Sequence, residues 1–202
     1  MKPILFYDTE TTGLPQWNLP SEDLSQPHIT QIAAELVDED SGLVLAGMNL
    51  LIKPDGWVIP DDVAELTGIT TELCEAFGVA LGQVMDLFLG LWSRADIRVG
   101  HNESFDMRMV RIELMRVYGE AVADDWKEGS AFCTCSNSTK IVNLPPTEKM
   151  LAAGKKNAKP PNLGEAFEFF TGRKLDGAHN AMVDVAGCRD VYFGILKHRK
   201  AA

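Results

Sequence analysis

The apolar run Pro3-Ile4-Leu5-Phe6-Tyr7 passes without a break into Asp8-Thr9-Glu10. A short continuous apolar run of this kind reads as a buried strand. Its end has the opposite character. Two carboxylates stand two residues apart, and the period of a strand puts both on one face. The chain must therefore build a covered sheet whose first strand delivers acid to one end.

The rest of the chain supplies that sheet. Ile29 to Val37, with Ile29 and Ile32-Ala33-Ala34 apolar, is a second strand. Asp38-Glu39-Asp40-Ser41-Gly42 is a turn, and Leu43 to Ile52 completes a meander. Pro15 to Pro27, polar and carrying three prolines, is a loop. Pro60 to Glu65 and Thr70 to Phe77 read as short helices. Leu81 to Arg94 carries Leu81, Val84, Met85, Phe88, Leu91 and Trp92 at helical spacing. Ile97 to His101 is a short strand, followed by a helix from Ser104 to Tyr118 and a fifth strand at Phe132 to Thr134. Pro145 to Pro161 is a loop with helical fragments. Leu163 to Thr171 is a helix closed by Gly172, and Ala181 to His198 is a last amphipathic helix. The expected architecture is α/β: a mixed five-stranded sheet, three-stranded meander plus parallel strands, flanked by helices. No break in composition divides the 202 residues, so one domain is expected over 1–202.

No apolar run approaches the roughly 20 residues of a membrane span. The N-terminus reaches Asp8 before the apolar core of a signal peptide could form, so a cytoplasmic protein is expected. Cys74, Cys133, Cys135 and Cys188 read as small buried hydrophobes, since no second pair accompanies Cys133-Thr134-Cys135 at zinc spacing. The net charge of −10 is unevenly spread. Residues 1–77 hold two basic side chains against 14 acidic ones. Between Thr139 and Pro161, Lys140, Lys149, Lys155, Lys156 and Lys159 face only Glu148. Such a chain has no all-round basic surface for loose duplex binding, but a local one for nucleic acid.

Asp8, Glu10, Asp106 and Asp184 all fall where elements change, the places where open α/β sheets gather their sites. Four uncompensated acids repel one another. Hard divalent cations with oxygen ligands, Mg²⁺ or Mn²⁺, resolve the repulsion. Two such ions balance four carboxylates, and the loaded site then accepts a phosphodiester. Ions about 3.5–4 Å apart can activate water and stabilise a departing 3′ oxygen. His179, five residues before Asp184, adds a group that titrates near neutrality and can take the water's proton.

Phe6-Tyr7-Asp8-Thr9-Glu10-Thr11-Thr12-Gly13-Leu14 resembles the first motif of the DEDDh 3′→5′ exonucleases, which include the proofreading subunits of bacterial replicative polymerases. Gly100-His101-Asn102-Glu103-Ser104-Phe105-Asp106 resembles the second motif. Gly177-Ala178-His179-Asn180-Ala181-Met182-Val183-Asp184 resembles the third. Glu65-Leu66-Thr67-Gly68-Ile69-Thr70 is similar to the family's His-Gly-Ile-Thr word, with Thr67 in the place of its histidine. The resemblance, nearest to phage-encoded or small bacterial members, implies a ribonuclease H-like fold. It implies two Mg²⁺ ions, replaceable by Mn²⁺, with Asp8 bridging both, Glu10 and Asp184 completing one shell and Asp106 holding the second. It makes His179 the general base. Thr11, Gly13 and Leu14 would cradle the terminal nucleotide, and Asn102 and Phe105 would line the path of the strand. The implied activity is release of nucleoside 5′-monophosphates from single-stranded DNA 3′ ends, in proofreading or degradation. The implied partner is a polymerase or replication complex. An RNA-trimming enzyme and a catalytically silent nucleic-acid-binding module are the rival expectations. Trp17, in the loop after the first motif, is the best candidate to stack a base. Gln83 to Phe88 resembles a clamp-binding peptide but lies on an apolar helix face, and His28 reads as an inert loop residue.

Overall fold

The computed structural model describes residues 1–201. Its sheet has the order β3-β2-β1-β4-β5, from β1 (Pro3–Thr11), β2 (Ile29–Asp38), β3 (Val44–Leu51), β4 (Ile97–Gly100) and β5 (Ala131–Cys133). The first three strands are antiparallel, and β4 and β5 run parallel to β1. This is the mixed five-stranded sheet expected from the sequence. Among the described residues no helix is long and apolar enough to cross a membrane.

Alternation along β1 assigns its side chains to two cores. Leu5 and Tyr7 pack under α3 (Leu81–Trp92) and α4 (Glu103–Tyr118), while Ile4 and Phe6 pack under α9 (Ala181–Ala201). Tyr7, Phe88 and Trp92 each meet the Trp126 ring edge-on, at centroid distances of 5.3, 5.3 and 5.2 Å. Val84, Met85 and Phe88 are buried, so the segment from Gln83 to Phe88 is core and not a free peptide.

Two helices were not visible as periodic patterns. In α5 (Glu120–Glu128) only Ala123 and Trp126 are buried, too few apolar anchors to declare a period. In α6 (Thr134–Val142) the sequence TCSNSTKIV is built of weak helix formers. Its hydroxyl and amide side chains bind the helix's own carbonyls, Asn137 on Cys133 and Ser138 and Thr139 on Cys135. The helix starts at Thr134, so the fifth strand ends one residue earlier than expected. Short helices α1 (Asp61–Thr67) and α2 (Thr71–Phe77) precede α3; α7 (Glu148–Ala152) and α8 (Leu163–Thr171) precede α9. As expected, Gly172 closes α8 in the left-handed region, and a reciprocal Asn162–Glu165 capping box opens it.

A buried ion pair sits where β4 hands over to α4. Arg98 Nε donates to Glu103 Oε1 at 2.7 Å, and the Tyr7 hydroxyl donates to the same oxygen at 2.9 Å. The guanidinium lies 4.4 Å over Trp126 and donates to the carbonyls of Trp126 and Gly129. Removing one partner of such a pair leaves an uncompensated charge in the core. Glu103→Ala is therefore expected to lower the unfolding free energy by about 3–5 kcal/mol in urea titration. A loss below about 1 kcal/mol would show that the pair does not hold the start of α4.

Candidate active site

β4 pairs with β1 only as far as Phe6, and the chain then turns at Gly100 into α4. The turn is made by Asn102 with φ +68°, the left-handed conformation that asparagine tolerates better than most residues. Beyond Phe6 the β1 backbone has no strand on that side. Asp106, in the first turn of α4, supplies the missing acceptor. Its Oδ1 takes the Thr9 N–H at 3.1 Å and the Thr9 hydroxyl at 2.7 Å.

Asp8 and Glu10 point to the opposite face from Thr9, toward α9. The start of that helix is fixed from the sheet, because Gln31 Oε1 on β2 accepts the Ala181 N–H at 3.1 Å. One turn on, Asp184 meets the two acids. Ligand oxygens of Asp8, Glu10 and Asp184 lie within 4.8 Å of one another. Asp184 Oδ2 accepts the His179 N–H at 3.0 Å, and its Oδ1 is buried with no hydrogen-bond partner. The structure thus unites Asp8, Glu10 and Asp184 in one cluster. Asp106 stands beside it, bound to Thr9 on the other face of β1.

Among the described residues none of these four acids has a Lys, Arg or His ion-pair partner. The electrostatic cost is visible in their protonation. Burial, then the charges of Asp106, Asp184 and Glu10, hold the Asp8 carboxyl well above its usual range. Burial and Asp184 push Glu10 up to about 7. Burial pushes Asp106 up to about 7 against the Thr9 hydrogen bonds, and burial raises Asp184. Oxygen-only donors, clustered, uncompensated and with one lone oxygen, fit a hard divalent cation.

Asp8, Glu10 and Asp106 line a cleft of about 600 Å³. Thr11, Gly13, Leu14, Phe105 and His179 line it; its far wall is α1, with Leu66 and Thr67. The Thr11 hydroxyl donates to the Gly13 carbonyl at 2.9 Å, which sets the turn that presents Leu14. Leu14 is 79% exposed. Asn102 is exposed at the cleft's rim and lines the adjoining groove instead. His179, also exposed, has φ +67°. Trp17 is 60% exposed in a loop tied to α4 through Arg108 and Arg116, and it lies outside the residues that line the cleft.

Two further residues matter that composition and spacing did not single out. Thr9 anchors Asp106; its only signal was its place between the two acids. His101 lines the cleft and joins three segments, with Nδ1 2.9 Å from the Thr134 hydroxyl and Nε2 3.1 Å from the Pro161 carbonyl. Burial lowers its pKa, in keeping with a neutral bracing group. His28, read as an inert loop residue, stacks on Trp57 at 5.1 Å with its Nδ1 3.6 Å from the buried Glu113 carboxylate. Of the cysteines only Cys74 and Cys188 are buried; Cys133 and Cys135 are half-buried beside the rim.

The model of the exonuclease family RNase_T matches residues 5–192. Escherichia coli Exonuclease I in complex with a dA16 oligonucleotide is similar in fold, with a TM-score of 0.74 and 20% identity over 100% of this chain and 42% of that one. Its complex with a dT13 oligonucleotide gives 0.73 and 20% over 97% and 41%. The zinc-bound form of its single-stranded DNA complex gives 0.72 and 18% over 100% and 41%. The chain thus spans about two-fifths of the length of these structures. No curated protein matches by sequence. The fold is the ribonuclease H-like one that the motifs implied.

The raised carboxyls make stability depend on pH. Folded Glu10 and Asp106, at about 7 against ordinary values of 4.5 and 3.8, keep protons that the unfolded chain has released. Without divalent ions, this contribution to stability is complete below about pH 4 and is lost as pH rises through 7. In EDTA, Tm is expected to fall from pH 5 to pH 8, and Asp106→Asn to flatten that fall. Mg²⁺ should raise Tm more at pH 8 than at pH 5. Identical pH slopes in the wild type and Asp106→Asn would show that Asp106 ionises as it does in water.

Proposed function

The chain belongs to the exonuclease family RNase_T, and on that premise we propose that it is a two-metal 3′→5′ exonuclease acting on single-stranded DNA. The observation that carries this reading is the triad of Asp8, Glu10 and Asp184, oxygens within 4.8 Å, of which Asp8 and Glu10 line a cleft of about 600 Å³. The three would hold one Mg²⁺, for which Mn²⁺ can substitute. Asp106, through the oxygen that Thr9 leaves unused, would hold a second together with Asp8. Divalent ions bound there polarise the attacking water and stabilise the departing 3′ oxygen.

The remaining work falls to the chain's own side chains. His179 takes the water's proton on its imidazole. The hydrogen bond from its backbone to Asp184 keeps that ring at the cleft wall, next to the acids it serves. Leu14 and Phe105, with Leu66 opposite, offer apolar faces to the terminal base. A base can reach them only when unpaired, which favours single strands. Thr11 and Gly13 shape the turn that cradles that nucleotide, and Asn102 borders the strand's path. The similar structures of Escherichia coli Exonuclease I hold single-stranded DNA oligonucleotides, which supports DNA as the substrate. The chain would serve as one exonuclease unit, in the cytoplasm, either beside a polymerase in proofreading or on free 3′ ends in degradation.

Matched 5′-labelled single-stranded DNA and RNA test this. The expected result is a Mg²⁺-dependent ladder that shortens from the 3′ end, faster on DNA, and absent in Asp8→Ala. His179→Ala is expected to slow turnover by about 10²–10⁴, the usual share of a general base, with oligonucleotide affinity kept. Near-normal cleavage by Asp8→Ala would sink the metal assignment. A His179→Ala variant that loses affinity but keeps its turnover would make His179 a binding contact and not the base.

A further inference from the structure

The cleft has two unlike sides. Its α1 wall carries Asp61, Asp62 and Glu65, all exposed, and no basic residue. On the other side, past His101 and Asn102, the cleft adjoins a second groove of about 730 Å³. Asn102 and Ser104 at the start of α4 border that groove, with Lys140 of α6 and Arg199 of α9 across it. The one acid that reaches it, Glu103, is neutralised from below by Arg98. Lys140 and Arg199 are exposed and, among the described residues, have no acidic partner. Arg199 is steadied in place by a 2.7 Å hydrogen bond to Asn137 Oδ1 and by the Phe132 ring 5.6 Å below.

The segment 145–160, an arm between Leu144 and Pro161, starts and ends beside this groove. Its base is closed by the bridge between Leu144 and Lys159, and Pro160 is itself part of the groove wall. Pro161, buried, takes the hydrogen bond from His101 and so ties the base of the arm to the end of β4. Of the arm's lysines, Lys159 is bound to Glu165. Lys155 and Lys156 are exposed and unpaired among the described residues, just past the left-handed Gly154 that follows α7 and its cap Ala153.

A single strand whose 3′ nucleotide occupies the cleft must lead its remaining phosphates away from the acids. The α1 side repels them, and the groove attracts them. The N-terminus of the 16-residue helix α4 adds its positive dipole end there. We infer that this groove and the arm rooted beside it form the binding track for the phosphates 5′ to the nucleotide being removed, with Lys140, Arg199, Lys155 and Lys156 as its cations. The inference rests on the exonuclease reading for the direction of the strand.

Binding can be tested apart from cleavage. Fluorescein-labelled dT20 and dT3 are titrated by anisotropy with Ca²⁺ in place of Mg²⁺, over a range of salt. The proteins are the wild type, the two double variants Lys140→Gln/Arg199→Gln and Lys155→Gln/Lys156→Gln, and the quadruple variant. For dT20 the quadruple variant is expected to bind at least tenfold more weakly. Its dependence of log K on log salt should be shallower by about 3, the counterion release of four single-strand phosphate contacts. For dT3 the loss should stay below threefold. An unchanged salt slope, equal losses on both lengths, or a wild type that binds dT20 no better than dT3 would overturn the track. A wild type that binds dT20 as expected but cuts nothing in Mg²⁺ would instead overturn the exonuclease reading and leave the track standing. All four side chains are exposed, so Tm is expected to stay within a few degrees of wild type, and a larger drop is answered by the two double variants taken separately.

Discussion

The hydrogen bonds from Thr9 to Asp106 are where the fold and the site become one object. β4 is too short to pair with the end of β1, so the backbone there needs an acceptor from elsewhere. A carboxylate at the start of α4 provides it, at 3.1 Å from the Thr9 nitrogen and 2.7 Å from its hydroxyl. The consequence is geometric. A strand that is paired along one edge only can present acids on one face and receive an acid from the other. The bend that opens the cleft and the residue that helps to floor it are the same feature.

Holding four acids together is a debt that the scaffold underwrites. Burial alone shifts these carboxyls toward neutrality, and their mutual repulsion adds to it. The surrounding structure answers with pairings that are fully satisfied. Arg98, Glu103 and Tyr7 close one buried network under α4. Gln31 fixes the start of α9 while its amide donates to Asn49 Oδ1 at 2.9 Å. Both networks end on a helix terminus that carries a site residue. The rigid parts of the molecule are thus spent on the first turns of α4 and α9, where small displacements would separate the acids. The contrast with Asp184 is telling: it is the one site carboxylate with a buried oxygen that nothing in the protein satisfies.

Much of this was legible in the sequence, and the reason is period. Asp8 and Glu10 share a face because strands alternate, and the apolar run before them could only be covered strand. The residues at the end of β4 and at the start of α9 were legible because words such as Gly100-His101-Asn102 and Gly177-Ala178-His179 resemble motifs of a known family, and the structure gives Asn102, Gly177 and His179 left-handed backbone there. What stayed hidden depends on partners far away in the chain. Thr9 matters because β4 stops short, and His101 matters because Pro161 lies beside it, 60 residues on. The helix α6 hid for another reason. Its serines, threonines and asparagine favour caps and turns as local sequence, and only the burial of Thr134 and Ser138 against their neighbours settles them into a helix.

The uneven charge along the chain acquires a spatial meaning once the fold is known. The acid-rich first third supplies β1 and α1, the floor and one wall of the cleft. Lys140 lies on the groove side of the cleft, with the segment that carries Lys149 to Lys159 rooted beside it, whereas Lys197 and Lys200 sit by Glu39 and Asp40. A protein with net charge −10 would repel a polyanion as a whole, yet screening over about 8 Å at physiological salt confines that repulsion to the near surface. A strand approaching the basic side therefore feels Lys140, Arg199 and the arm before it feels α1.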